Sequence, residues 1–286
     1  MSKEILNTIS SPLRIGKQGH LYIKLSHREG YTYIADSYCV IPLKIAKPFY
    51  LDSTGEIFIY IMNPTGGMVQ GDRYRLDVFL APGAQAFITS QAATKIYRME
   101  YDYAAATEFF EVKEGALLEY FPDPVIPFAS SRFIGETKII LERGSTAFIG
   151  EILFPGRIKR GEIFQYDFYS RRTRVFYQGE LVYYDIIDLR PKEKRVDLPG
   201  IFESYTCYGQ LTIFSSAVNK ELSDLLHFAL QDIPGLTGSA SLTQKYGVII
   251  RILGLDTVQI SGALTMCWDI ARKFLLGRPA PKIRKY

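Results

Sequence analysis

Four carboxylates stand where the chain turns. Asp72 ends the stretch Asn63-Pro64-Thr65-Gly66-Gly67-Met68-Val69-Gln70-Gly71-Asp72, Asp123 lies inside Pro122-Asp123-Pro124, Glu151 follows Gly150, and Glu162 follows Gly161. Such side chains can ligate a divalent cation through oxygen, and they can equally well bond their own backbone. Firm zinc or nickel sites use imidazole and thiolate. Neither is clustered in the sequence: histidines occur at 20, 27 and 227, and cysteines at 39, 207 and 267. Without a Cys-x-x-Cys pair, neither a zinc knuckle nor a disulfide framework is indicated. Cys39, Cys207 and Cys267 read as buried free thiols of a reducing compartment. A metal bound by these acids alone would be held weakly and released quickly, which suits transit better than storage.

Signatures of catalysis are sparse. There is no Gly-x-Ser-x-Gly elbow. His20 and His27, seven residues apart, would face opposite sides of one regular strand. The glycine-rich stretch ending at Gly71 lacks the Lys and Ser/Thr of a phosphate loop and carries Asp72 there instead, which would repel phosphate. A net charge of +4 is too small to argue for nucleic acid. The basic tail from Gly277 to Tyr286 reads as solvated. Met1 to Gly16 shows no signal peptide, and no apolar run reaches the roughly 20 residues that span a bilayer. A cytoplasmic location is expected.

The elements that must position these acids are strands. From His20 to about Phe214, short alternating or apolar runs are bounded by turns, as at 21–25, 56–62, 75–80 and 165–169, and 74–88 reads as one alternating strand. Aromatic content is high, with 20 Tyr and 18 Phe, and broad rings suit pleated surfaces. Glycines at 55, 83, 115 and 144 are spaced by 28, 32 and 29 residues, each at the junction of two such runs. That spacing suits stacked, solenoid-like repeats, although a run of hairpins also favours glycine at its turns. If the units stack in register, Asn63, Ser90 with Gln91, Asp123 and Glu151 form a polar track along one edge. After the charged, proline-flanked loop 190–200 the pattern is mixed. Helices are predicted at about 219–231, N-capped by Asn219, and at about 262–276, ending at Gly277. Their apolar faces carry Leu222, Leu225, Leu226, Ala229 and Leu230, and Leu264, Cys267, Trp268, Ala271, Phe274 and Leu275. The expected fold is mostly β: stacked, solenoid-like antiparallel or mixed strands with two helices in the C-terminal half. It forms a single domain over 1–286, with a β body at about 18–215 and a mixed α/β end at about 216–286.

Several motifs together resemble the urease accessory protein UreD family, called UreH in some organisms. They are Asn-Pro-x-Gly-Gly with Gly71-Asp72, the block Thr89-Ser90-Gln91-Ala92-Ala93-Thr94-Lys95-Ile96-Tyr97-Arg98, Pro-Asp-Pro-x-Ile-Pro-Phe at 122–128, Gly150-Glu151 with Gly156-Arg157, and the closing Leu-Leu-Gly-Arg-Pro-Ala. The resemblance covers nearly the whole chain and departs at Met68 and Gln70, where smaller or aliphatic residues are usual. It implies a largely β body with two helices and no enzymatic activity. It further implies direct binding of UreF, contact with the GTP-hydrolysing carrier UreG through UreF, docking on apo-urease, and passage of nickel through an internal tunnel. Asp72 and Glu151 match the family's acidic tunnel positions. Asp123, Ser90 and Lys95 join them as lining residues through their motif positions and the register argument. No tightly bound cofactor is implied, only transient Ni²⁺.

Two other readings remain open on the sequence. The chain could be a purely structural clamp that links UreF to urease, with nickel travelling elsewhere. It could also be a β-solenoid acting on polysaccharide, which would need two acids about 5–10 Å apart in an open groove.

Overall fold

The computed structural model describes residues 16–231 and 233–283. Residues 1–15, where no signal peptide is read, and the last three residues of the basic tail lie outside them. The chain opens with a hairpin of β1 (Gln18–Arg28) and β2 (Tyr31–Val40), then the short β3 (Lys44–Ile45). It then coils. Successive turns of the coil are β4 (Ile57–Met62), β5 (Gly67–Met68) and β6 (Arg73–Leu80); β7 (Gln85–Ser90), β8 (Thr94–Ile96) and β9 (Ala104–Val112); and β10 (Leu117–Tyr120), β11 (Val125–Pro127) and β12 (Arg132–Leu141). A fourth turn runs from β13 (Thr146–Leu153) through a 3-10 turn at Ile158–Arg160 to β14 (Phe168–Tyr177). The segment read as one strand, 74–88, is two strands on different faces, because Pro82-Gly83 turns the chain between them.

Each face of the coil is a parallel stack. β6, β9, β12 and β14 pair in that order in one sheet, continued by β1 beside β6. β4, β7, β10 and β13 stack in a second sheet, and β5, β8 and β11 form a short third face. Antiparallel strands finish the stacks: β2 beside β1, and β15 (Glu180–Leu189) beside β14. On the second sheet β16 (Cys207–Phe214), β18 (Gly247–Gly254) and β17 (Leu236–Leu242) follow β13. This is the solenoid-like mixed arrangement expected from the glycine spacing. Gly55, Gly83, Gly115 and Gly144 all have φ between 64° and 75°, a left-handed conformation open to glycine at little cost. The amide of Gly83 bonds the Glu114 carbonyl at 3.0 Å and that of Gly115 the Arg143 carbonyl at 3.1 Å, so the corners stack as the strands do.

Two apolar cores result. Inside the coil, Leu21, Ile23, Val78, Leu80, Ile59, Ile88, Phe110, Leu118, Ile139 and Leu141 close one end. On the outer face of the second sheet, Phe58, Phe87, Phe148, Leu211 and Ile250 pack against α1 (Lys220–Ala229) and α2 (Thr257–Leu276). Asn219 caps α1 by accepting from the Leu222 amide at 3.1 Å, and Gly277 ends α2 in the left-handed region. α2 starts five residues earlier than the periodicity suggests, because Asp256 accepts from the Val258 amide and fixes the first turn there. Leu225 of the expected apolar face of α1 points outward. Cys207 and Cys267 are buried, but Cys39 is exposed: it stands on β2, the edge strand of its sheet among the described residues.

α2 is held by charge as well as apolar area. Arg272, 2% exposed, bonds Glu119 and Glu56 at 3.0 Å each. Trp268 Nε1 donates to Glu119 at 2.8 Å, and Arg278 reaches Glu56 at 3.3 Å. Burial, and then the neighbouring charge of Glu56, push the Glu119 carboxyl well above the usual range, while Arg272 opposes this. Removing the shared guanidinium leaves two close carboxylates without their partner. Arg272→Met is therefore expected to cost about 3–5 kcal/mol of stability in denaturant unfolding, whereas truncating the exposed Arg195 leaves the midpoint where it is.

Candidate functional site

At the corner between the second sheet and the short third face, the coil interior opens. A cavity of about 190 Å³ is lined by Asn63, Ser90, Gln91, Lys95, Asp123, Glu108, Tyr120 and Arg171, among others. A second, of about 20 Å³, is lined by Asp123, Thr137, Glu151, Gln210 and Arg171. Pro122, Asp123, Val125 and Arg171 belong to both walls. The smaller space holds about one water molecule, so an ion there would have lost most of its hydration shell.

Strand register explains which side chains meet. Ser90 pairs with Ile61, and Tyr120 lies level with Ile88 and Ile149 on its two neighbours. Two residues on, Ser90 and Glu151 occupy the same level of the stack, and Asp123 sits at the turn between them. The Asp123 amide donates to Ser90 Oγ at 2.7 Å, and that hydroxyl lies 3.4 Å from Asp123 Oδ2. Asn63 Oδ1 accepts from the Thr65 amide and hydroxyl, and its side chain borders the larger cavity. Asn63, Ser90, Gln91, Asp123 and the exposed Lys95 thus border the larger cavity, and Asp123 and Glu151 border the smaller.

Asp72 has different surroundings. It is 1% exposed and accepts from the Lys17 amide at 2.8 Å, the Val69 amide at 2.9 Å and the Tyr74 hydroxyl at 2.9 Å. Among the described residues Asp72 lines neither cavity. Tyr74, which does, stands in front of it. Burial first, then the Asp72 charge, raise the Tyr74 phenol to about 12. Glu162 is likewise engaged locally: it pairs with Arg157 and accepts from the Ala129 amide at 3.2 Å. The Arg157 hydrogen bond holds its carboxyl below the usual range. Arg157 in turn lies 4.1 Å over the Phe128 ring, so the Gly156-Arg157 and Pro-Phe motifs clamp each other.

The sequence reading missed the centre of the site. Glu108 on β9, Thr137 on β12 and Arg171 on β14 all point inward, together with Tyr120 and Tyr169. Arg171 pairs with Glu108 and lies 3.5 Å from Glu151. It also donates to Thr137 Oγ1 at 2.9 Å. Tyr169 donates to Glu151 at 2.8 Å, Tyr120 to Glu108 at 2.8 Å, and Thr137 to Glu108 at 2.8 Å. To reach Glu108 from β14, Arg171 must cross β12. It crosses at Gly135, its register partner, where a Cβ would stand 3.2 Å from Arg171 Cγ. The alternation of polar and apolar residues along β9 and β14 held the only signal, and an aqueous exterior would have produced the same pattern. Among the described residues no group of three or more His, Cys, Asp and Glu is placed to hold a metal ion.

A larger groove of about 540 Å³ lies between β15, the loop 190–202 and β18, with Arg190, Lys194, Arg195 and Arg251 around an apolar floor. None of the turn carboxylates lines it.

These surroundings separate the acids by task. Asp72→Asn puts an amide where three donors converge and is expected to cost about 1–3 kcal/mol through loss of the loop's anchoring. Thermal unfolding of the variant against the parent checks this; an unchanged midpoint would remove the anchoring role.

The chain matches the model of the UreD urease accessory protein family over residues 17–285. It is 35% identical to the urease accessory protein UreD of Acetivibrio thermocellus over 257 residues, which cover 90% of this chain and 98% of that protein. It is 33% identical to the UreD of Haloarcula marismortui over 273 residues, covering 95% and 91%. It is 34% identical to the urease accessory protein UreD 2 of Streptomyces griseus over 275 residues, covering 94% of each. With the family's motifs on the corners of a parallel coil and similarity along nearly its whole length, the chain belongs to the UreD family of urease accessory proteins.

Proposed function

We propose that this chain serves urease maturation as a non-catalytic scaffold and nickel conduit, in the cytoplasm. It binds UreF directly, meets UreG through UreF and docks on apo-urease, and GTP hydrolysis belongs to UreG. The observation that carries this reading is a pair of interior cavities, with largely apolar walls, that share Asp123 and Arg171 in their common wall. A carboxylate lowers the energy of a partly dehydrated dication where the local dielectric is below that of water. Carboxylate, hydroxyl and amide oxygens hold nickel loosely, which favours onward movement. Glu151 and Asp123, with Ser90 and Lys95 nearer the rim, are the residues through which nickel would pass. Asp72 contributes by fixing the loop that carries Met68 and Tyr74 into the wall.

Apolar surface supports the partner role. Tyr31, Tyr33 and Tyr38 on the edge strand β2 are exposed, as are Ile41, Phe49, Tyr50 and Leu51 beside it. At the other edge of the same sheet, β15 exposes Leu181, Tyr184 and Ile186. Open edges and clustered aromatic surface favour self-association unless a partner covers them. Solubility is therefore expected to rise on co-expression with UreF. Equal solubility with and without UreF would count against an obligate partner.

The conduit is tested at Glu151 and Asp123. Glu151→Gln or Asp123→Asn should lower nickel delivery to apo-urease while pull-down still recovers the accessory complex. Intact complexes that activate urease as well as the parent does would sink the conduit reading and favour a purely structural clamp.

A further inference from the structure

Arg171 is a cation standing in a space proposed for cations. Its guanidinium borders both cavities and is 11% exposed, opposite Glu108 at 13% and Glu151 at 12%. With Asp123 in the common wall beside Glu108 and Glu151, three carboxylates and one guanidinium leave the junction with a formal charge of −2. The donors around it face the acids: Tyr120 and Thr137 serve Glu108, and Tyr169 serves Glu151. Arg171 stands with Asp123 in the wall common to both cavities, and the smaller cavity is too tight to admit a hydrated ion.

We propose that Arg171 is the internal counter-ion of the passage, a valence filter that a metal ion must displace from Glu108 and Glu151. A monovalent ion would replace one unit charge by another and lose the guanidinium's directed hydrogen bonds, so displacement by sodium or potassium is unfavourable. A divalent ion brings twice the charge to the same pair of carboxylates, which favours exchange. The larger cavity, with about 190 Å³, gives the displaced side chain room. Gly135 is the positioning residue: its missing side chain leaves the lane along which Arg171 lies across β12. When the ion leaves, Arg171 returns to the acids and restores the block. The filter rests on the conduit reading, and it adds that the passage is normally closed by the protein's own charge.

The test is nickel chloride binding to the full chain, co-purified with its partner where solubility requires, by equilibrium dialysis in sodium or potassium chloride buffer. Arg171→Gln should bind nickel roughly tenfold more tightly than the parent, because two carboxylates lose their competing cation. Adding Glu151→Gln to that variant should return affinity to the parent level. Folded Arg171→Gln protein that binds nickel no more tightly than the parent overturns the filter. Should Arg171→Gln fail to fold, Arg171→Lys keeps the charge but loses the guanidinium's forked hydrogen bonds to the two acids. It should bind nickel more tightly than the parent, and parent-like binding overturns the filter in that case. Nickel delivery by Glu151→Gln judges the conduit separately. A conduit that fails leaves delivery unchanged, whereas a filter that fails leaves nickel binding unchanged in the Arg171 variants.

Discussion

In-register stacking of parallel strands is the constraint on which the rest of this molecule depends. Backbone hydrogen bonds tie each strand to the next at a spacing of about 4.8 Å, and the four corner glycines keep successive coils from slipping. Once register is set, residues far apart in sequence share a level. Glu108 lies beside Thr137, which lies beside Thr173, and Arg171 lies beside Gly135. A shift of one residue on any of these strands would turn its inward set outward. The polar centre and the apolar core are therefore products of one register.

The interior is divided along its length. Toward the corner glycines, Val78, Leu80, Ile139 and Leu141 pack without polar partners. At the other end, carboxylates, hydroxyls and a guanidinium replace them. Such a polar interior is tolerated because its charges are paired. Tyr120 and Tyr169, whose hydroxyls serve Glu108 and Glu151, are held protonated well above the usual phenol range, chiefly by burial. Arg171 stays charged because two acids outweigh its desolvation. Helix α2 uses the same solution outside the coil, with Arg272 between Glu119 and Glu56. In both places an arginine bridges two acids, and around Arg171 there is open space beside the charges.

Much of this was legible in the sequence. Corner glycines require a left-handed backbone, so their recurrence marked the coil, and Asn219 and Gly277 marked helix ends through their capping chemistry. The same logic picked out Ser90, Asp123 and Glu151, because polar residues at a fixed distance past each corner must meet if the coils stack. It could not separate Asp72 from them, since a carboxylate that anchors a loop and one that faces a cavity look alike in a Gly-Asp turn. Glu108 and Arg171 escaped for a different reason. Strand alternation gives two faces without saying which is inside, and buried charges on a middle strand imitate a solvated surface. The start of α2 was misplaced because Asp256 sets it, ahead of the apolar stripe.

The central claim is that the polar interior is a path for a divalent cation. Anomalous X-ray scattering at the nickel edge, from crystals of the accessory complex soaked in nickel chloride, tests it most directly. The account expects a nickel peak inside the coil, between Asp123 and Glu151. Nickel confined to the surface, with the interior holding only water and Arg171 in place, would contradict it.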